Sequence, residues 1–222
     1  DAPLVWNNTF SQFVLNAPAP DGSLKGGLGM CRSDADPSLF FKHFEDGTQI
    51  SILLHVDDAI VFDDCPVRCQ PYLDALADKF DMQIRKGMPE YFLGLNFTHP
   101  SPGEITISCE TYIRSMAETY LDNPLDTYPD AHTPSCHDRL PKLFEEARSS
   151  AKSRSIDPKL QQKYRSLVGS LQYAASTCRA DILYTVGLLG RALTFPTNEL
   201  YDAALRVLVY LARHESYALR YS

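Results

Sequence analysis

The sequence predicts an α+β protein in which a strand-rich part gives way to a mostly helical one. Three observations carry this. Ile50-Ser51-Ile52-Leu53-Leu54-His55 and Ala59-Ile60-Val61-Phe62 are short apolar runs rich in β-branched residues, on either side of Val56-Asp57-Asp58. That pattern reads as a β-hairpin with Asp57 and Asp58 at its turn. From Leu160 onward, apolar residues recur at helical spacing over 160–176, 180–193 and 197–213, with Pro196 separating the last two. Between these parts, residues 122–158 are rich in Pro, Asp, Ser and charge, and read as an exposed connection containing the boundary.

The remaining elements follow from local pattern. Residues 4–16 place Leu4, Val5, Phe10, Phe13 and Val14 near helical spacing, with Trp6 as an anchor. The Gly/Pro-rich passage 18–29 reads as a loop. Residues 38–44 read as a strand, turned by Glu45-Asp46-Gly47 into the strand 49–55. Val67, Tyr72, Leu73, Leu76 and Phe80 share one face of an amphipathic helix over 66–80. Residues 91–98 read as a strand that Pro100-Ser101-Pro102-Gly103 turns into another over 104–109. Residues 111–121 form a helix with Tyr112, Ile113, Met116 and Tyr120 on one side, and 217–221 begin a last strand.

Composition excludes some classes. Of 222 residues, 44% are hydrophobic and 22% charged, ordinary for a globular protein, with no apolar run near the roughly 20 residues that span a bilayer. No signal peptide is visible at Asp1-Ala2-Pro3-Leu4. The six cysteines (Cys31, Cys65, Cys69, Cys109, Cys136, Cys178) are scattered without zinc-site spacing, and read as free thiols of a reducing compartment. A net charge of −7 and a pI near 5.3 rule against nucleic-acid binding through bulk charge, though not through a local groove.

The chemistry concentrates in the acidic hairpin. Adjacent ionised carboxylates repel, so a fold that holds Asp57 and Asp58 together usually neutralises them with a divalent cation. The plainer alternative is a polar turn, where Asp is common. A second acidic pair, Asp63-Asp64, reads as an N-terminal cap for the helix at Pro66. Lys163, Arg165 and Arg179 are candidate phosphate contacts. Against this, Lys163 suits a solvated helix face, and Arg179 suits a structural ion pair with Asp181.

An ordered series of segments resembles the reverse transcriptase of copia-type retrotransposons. Ala2-Pro3 followed by Trp6 is similar to the family's Gln-Ala-Pro-x-x-Trp, with Asp1 standing where Gln is usual. Asp36-Pro37-Ser38-Leu39-Phe40 resembles its Asp-Pro-Cys-Leu-Phe, and His55-Val56-Asp57-Asp58 its Tyr-Val-Asp-Asp box. Phe80-Asp81-Met82 and Tyr91-Phe92-Leu93-Gly94-Leu95 follow in order. Thr133-Pro134, Tyr164-Arg165-Ser166-Leu167-Val168-Gly169-Ser170-Leu171-Gln172-Tyr173 and Arg179-Ala180-Asp181-Ile182 continue it, with Ala180 for the usual Pro. Each motif alone is weak; the series is specific.

The resemblance implies a partial polymerase palm over 1–108, a thumb helix and linker over 109–158, and a helical connection over 159–222. It implies an RNA-directed DNA polymerase working by two-metal nucleotidyl transfer, with Asp57 and Asp58 as catalytic ligands of two Mg2+ or Mn2+ ions. His55, Phe92, Leu93 and Gly94 would contact the primer, and Ala2 and Pro3 the nucleotide. Asp1 would set a carboxylate near the incoming triphosphate. Partners would be an RNA or DNA template-primer and dNTPs, with no membrane, in a cytoplasmic virus-like particle or the nucleus. The fingers and the palm strand bearing a further metal-binding Asp would lie ahead of Asp1, and an RNase H domain beyond Ser222. Without them the chain is expected to be inactive alone. The alternative is a non-catalytic relic, or a fragment of a decayed element that binds nucleic acid or protein.

Overall fold

The computed structural model describes residues 2–135, 139–151 and 153–222. The fold is α+β, as the sequence predicts. It divides into two compact units, residues 1–86 and 87–222.

The first unit is an antiparallel sheet covered on one face by helices α1 (Ala2–Leu15) and α2 (Pro66–Phe80). Strands β1 (Cys31–Arg32), β2 (Leu39–His43), β3 (Gln49–His55) and β4 (Asp58–Asp63) lie in sequence order. Strict alternation along β3 sends Ile50, Ile52 and Leu54 into the core beside Phe40, while Ser51, Leu53 and His55 face the other way. Register follows, with Phe40 opposite Ile52 and Leu54 opposite Ala59. The Gly/Pro passage is a loop because it must run against α1: Leu28 and Met30 donate backbone hydrogen bonds to Phe13 and Val14 carbonyls at 3.0 Å. A Cβ on Gly27 would meet the Asn16 carbonyl oxygen at 2.3 Å.

The second unit carries its own antiparallel sheet, β5 (Tyr91–Phe92), β6 (Leu95–Thr98), β7 (Ile105–Ser108) and β8 (Leu219–Tyr221), in that order. The helices are α3 (Glu110–Tyr120), α4 (Arg139–Ser150), α5 (Pro158–Thr177), α6 (Leu183–Gly190) and α7 (Asn198–Arg213). The core is built from Tyr164, Leu167 and Leu171 of α5, Val186 and Leu189 of α6, and Leu200, Ala204, Val207 and Leu211 of α7. The buried Tyr164 hydroxyl donates to the Leu189 carbonyl at 2.8 Å, which satisfies it away from water.

Four expectations are corrected. The boundary falls between Lys86 and Gly87 rather than at 108 or within 122–158, because the strands after Gly87 pair among themselves and with β8. Part of 122–158 is helical: Leu140, Phe144 and Ala147 recur at helical spacing and are buried, so α4 joins the core despite its polar composition. Residues 91–98 are a tight hairpin, not one strand, because Leu93 and Gly94 both take positive φ (51° and 79°) and reverse the chain. The cap of α2 is Cys65, without a side-chain cap hydrogen bond; Asp64 instead accepts from the Gln49 amide at 3.0 Å, and Asp63 ends β4 opposite Ile50.

Candidate functional site

The acidic hairpin exists, with its turn one residue earlier than the pattern suggests. Val56 and Asp57 form the turn, and His55 pairs with Asp58 across its mouth. Asp57 and Asp58 are both exposed, and His55 shares the uncovered face of the sheet with its partner Asp58. The turn requires a positive φ of 51° at Val56. A β-branched residue there crowds its own backbone, a cost of roughly 1–2 kcal/mol relative to the usual regions. Such strain persists only where neighbours over-determine the conformation.

The neighbour here is Trp6. Its indole Nε1–H donates to the Val56 carbonyl at 2.5 Å. Trp6 is in turn fixed by edge-on contact with Phe80 of α2 (centroids 5.2 Å apart) and a tilted contact with Phe10 (5.8 Å). Phe10 and Phe80 stack at 5.3 Å, so α1, α2 and the hairpin tip meet at one aromatic cluster. Ala2 and Pro3 open the helix that delivers Trp6. The expectation for Asp1 lies outside the described residues.

Asp57 and Asp58 supply two exposed carboxylates at successive positions, which fits part of the all-oxygen shell of Mg2+ or Mn2+; such ions commonly take one or two protein carboxylates and fill the remainder with water and phosphate. Among the described residues, no cluster of three or more His, Cys, Asp or Glu side chains forms a larger donor set.

Phe92, Leu93 and Gly94 belong to the other unit. There the Leu93–Gly94 turn is seated on α5, with the Tyr173 hydroxyl donating to the Leu93 carbonyl. Tyr173 also stands edge-on to Tyr112 of α3 at 4.9 Å. The turn and the two helices line an open groove of about 520 Å³, with Leu93 and Gly94 at one side and Arg165, Ser166, Gly169 and Ser170 of α5 along the floor. The Tyr112 hydroxyl donates to the Ser170 carbonyl at 3.2 Å, and Tyr120 lies within 2.7 Å of the Ser166 hydroxyl. The Tyr112–Tyr173 pair forms one wall of the groove, and Arg165 brings a positive charge to it.

Gly169 is notable within it. A Cβ there would meet nothing within 4 Å, so the fold makes no demand for glycine at this position in the middle of a helix. Glycine costs about 1 kcal/mol against alanine there. A residue that the chain's own packing does not require leaves the backbone open to whatever enters the groove.

The three cationic candidates separate. Lys163 is exposed on α5. Arg165 is exposed at the groove and donates through Nε to the Leu193 carbonyl at 3.1 Å. Arg179 is 1% exposed and so is structural: it forks onto Asp181 (Nε to Oδ1 3.1 Å, Nη2 to Oδ2 2.9 Å) and donates to the His214 carbonyl at 2.9 Å. The Tyr210 hydroxyl completes the network on Asp181 at 2.8 Å. Burial works against both charges, and the pairing overcomes it, holding the Asp181 carboxyl below its ordinary value and Arg179 above its own.

Sequence reasoning missed Trp6 as the clamp of the turn and Tyr112 and Tyr173 as groove walls. The signal available for the first was a tryptophan on the otherwise exposed start of an amphipathic helix.

No family model matches the chain, and no solved structure matches it significantly. Curated relatives do. The "Putative transposon Ty5-1 protein" of Saccharomyces cerevisiae is 33% identical over 220 residues, covering 99% of this chain and 63% of that protein. The retrovirus-related Pol polyprotein from transposon TNT 1-94 of Nicotiana tabacum is 29% identical over 214 residues, and that from transposon RE1 of Arabidopsis thaliana is 32% identical over 215. Each alignment covers 95% of this chain, but only 14% and 13% of those polyproteins. The chain is thus a homologue of Ty/copia-type retrotransposon Pol polyproteins, matching one stretch of their length.

Proposed function

We propose that this chain contributes the carboxylate-bearing hairpin and a nucleic-acid groove to an RNA-directed DNA polymerase. The observation that carries the reading is the strained, Trp6-clamped turn that presents Asp57 and Asp58 together at an exposed tip. Strain held by a dedicated contact is characteristic of functional positions.

Asp57 and Asp58 would hold divalent ions, which when bound activate the primer hydroxyl and stabilise the leaving pyrophosphate. Trp6 fixes the turn so that the carboxylates need no reorganisation. His55, which pairs with Asp58 across the hairpin, would donate to a primer phosphate. In the second unit the Leu93–Gly94 turn and the exposed Gly169 backbone allow a sugar-phosphate chain close approach, with Arg165 supplying positive charge.

The test is primer extension on an RNA template by a full-length Pol polyprotein that contains this chain. Asp57→Asn is expected to abolish extension while leaving primer-template affinity within a few fold, because the carboxylate acts on the reacting groups and not on the duplex. Unchanged extension by that variant would overturn the reading. An inactive parent polyprotein that still bound primer-template would favour the non-catalytic alternative.

A further inference from the structure

Hydroxyls dominate the lining of the second unit's groove, where Tyr112, Ser166, Ser170 and Tyr173 surround a single cation, Arg165. Ser166 and Ser170 stand four residues apart on α5, so both face the groove from one side of the helix, with Gly169 between them. The Tyr120 hydroxyl bridges the two serines, 2.7 Å from the Ser166 Oγ and 3.2 Å from the Ser170 Oγ. The three hydroxyls bring three protons to two mutual hydrogen bonds, so one proton and several lone pairs are left over. A helical serine or threonine commonly spends its hydroxyl on the carbonyl one turn back, as Thr119 does at 2.7 Å and Ser176 at 2.9 Å. Among the described residues Ser166 and Ser170 make no such bond, and their hydroxyls stay with Tyr120 at the groove.

We propose that the groove reads the sugar of a nucleic-acid strand: Ser166, Ser170 and Tyr120 hydrogen-bond a ribose 2′-hydroxyl seated over Gly169. The chain then prefers an RNA·DNA hybrid to a DNA duplex of the same sequence, a preference that rests on the groove being a nucleic-acid interface.

A hydroxyl set with both a spare proton and spare lone pairs is matched by a group that also donates and accepts. A phosphate oxygen only accepts. A ribose 2′-hydroxyl does both, and it is the group by which a protein tells RNA from DNA. Such a contact touches no base edge, so it holds for any base sequence.

The neighbours of the hydroxyl set suit the rest of the strand. Arg165 lies one turn of α5, about 6 Å, from Gly169. Its Nε is held by the Leu193 carbonyl at 3.1 Å, and among the described residues its Nη groups make no hydrogen bond, which leaves them for a phosphate. A phosphate on Arg165 and a sugar over Gly169 are consecutive parts of one strand. With no Cβ at Gly169, and nothing within 4 Å of where one would stand, the sugar can come down onto the backbone and reach the serines on either side. The edge-on Tyr112–Tyr173 pair, one turn further along, gives the carbon face of the sugar an aromatic wall.

The experiment is a fluorescence anisotropy titration of the 222-residue chain, at about 50 mM salt, against three labelled duplexes of one sequence. They are an RNA·DNA hybrid, the same hybrid with a 2′-fluoro RNA strand, and the DNA duplex. The 2′-fluoro strand keeps the A-form shape of RNA without the hydroxyl proton. The ribose hybrid is expected to bind about three- to tenfold more tightly than either of the others, the effect of one hydrogen bond. Ser166→Ala is expected to bring that ratio toward one by weakening the hybrid, whereas Ser166→Thr, which keeps the hydroxyl, holds it. Arg165→Ala is expected to weaken all three duplexes alike. Equal affinity for the hybrid and the DNA duplex, a 2′-fluoro hybrid bound as tightly as the ribose one, or an unchanged ratio in Ser166→Ala would overturn the reading of the sugar and leave the groove as a nucleic-acid interface. Failure of all three duplexes to bind would overturn both.

Discussion

The two units solve the placement of polar groups in opposite ways. In the first, Asp57 and Asp58 are exposed and, among the described residues, make no side-chain hydrogen bond; a strained Val56 and one indole hydrogen bond position them. In the second, polar groups near the core are satisfied in a closed network in which Arg179, Asp181, Tyr210 and the His214 carbonyl pair among themselves. With both carboxylates exposed, the backbone of the turn sets where they stand. An ion pair meant to hold helices together is spent internally, and offers nothing to a ligand.

Breaking the closed network should have the largest effect. Asp181→Ala leaves a guanidinium that is 1% exposed with no counter-charge, only the His214 carbonyl and the faces of Tyr210 and Tyr217, and should destabilise the second unit by about 3–5 kcal/mol. The units can be read separately in one sample. Trp6, the single tryptophan, reports on the first through fluorescence, while far-UV circular dichroism is dominated by the helices of the second. The variant should move the dichroism transition toward lower urea and leave the Trp6 transition in place. Coincident shifts of both would contradict the assignment of this network to one unit.

The same network sets an acid dependence. Asp181 is held below its ordinary value of 3.8, with Glu104 (beside Arg220) and Glu215 (beside Arg114) held below 4.5. Depressed carboxyls contribute stability that is fully present above their unfolded values. That stability is lost as pH falls through the lower, folded values. The dichroism-detected stability of the second unit should be flat down to about pH 5 and fall below about pH 4. Asp181→Asn should flatten that fall.

Smaller effects sharpen the contrast. Gly169→Ala should stabilise α5 by about 1 kcal/mol, since its Cβ meets nothing, while weakening primer-template affinity in a fluorescence anisotropy titration. A gain in stability with unchanged affinity would remove the groove from the account. Val56→Asn should stabilise the first unit by about 0.5–1 kcal/mol, because asparagine accepts the left-handed region and Val56 is 54% exposed with little burial to lose. A lower urea midpoint for that variant would mean that the turn is not strained.

Much of this was legible in sequence, and the misses have identifiable causes. Period-2 alternation placed β3 on its observed residues, and apolar spacing placed α2 likewise. The turn between β3 and β4 was displaced because turn chemistry favours Asp over Val at positive φ, and the Trp6 contact that reverses this preference is tertiary. Phe92-Leu93-Gly94-Leu95 looked like one strand because its apolar run hides a two-residue turn whose second position is the glycine. The α4 helix was obscured by Pro141, Ser149, Ser150 and flanking charge, although Leu140, Phe144 and Ala147 carried the spacing. The Arg179–Asp181 pair was readable as a structural alternative; its burial was not, because that depends on α7 supplying Tyr210.

If the Val56–Asp57 turn, and not acidity as such, makes a cation site, the two acidic pairs of the first unit should differ in their response to a divalent ion. The chain contains its own control in Asp63-Asp64, where Asp64 is already engaged by the Gln49 amide and Asp63 is paired within the sheet. Titrating Mn2+ into the 222-residue chain while following amide signals by NMR compares the two directly. The expected result is paramagnetic broadening centred on residues 56–59 that disappears in Asp57→Asn, with 62–65 broadened far less. Equal broadening at both acidic pairs, or broadening at 56–59 that survives Asp57→Asn, would contradict it.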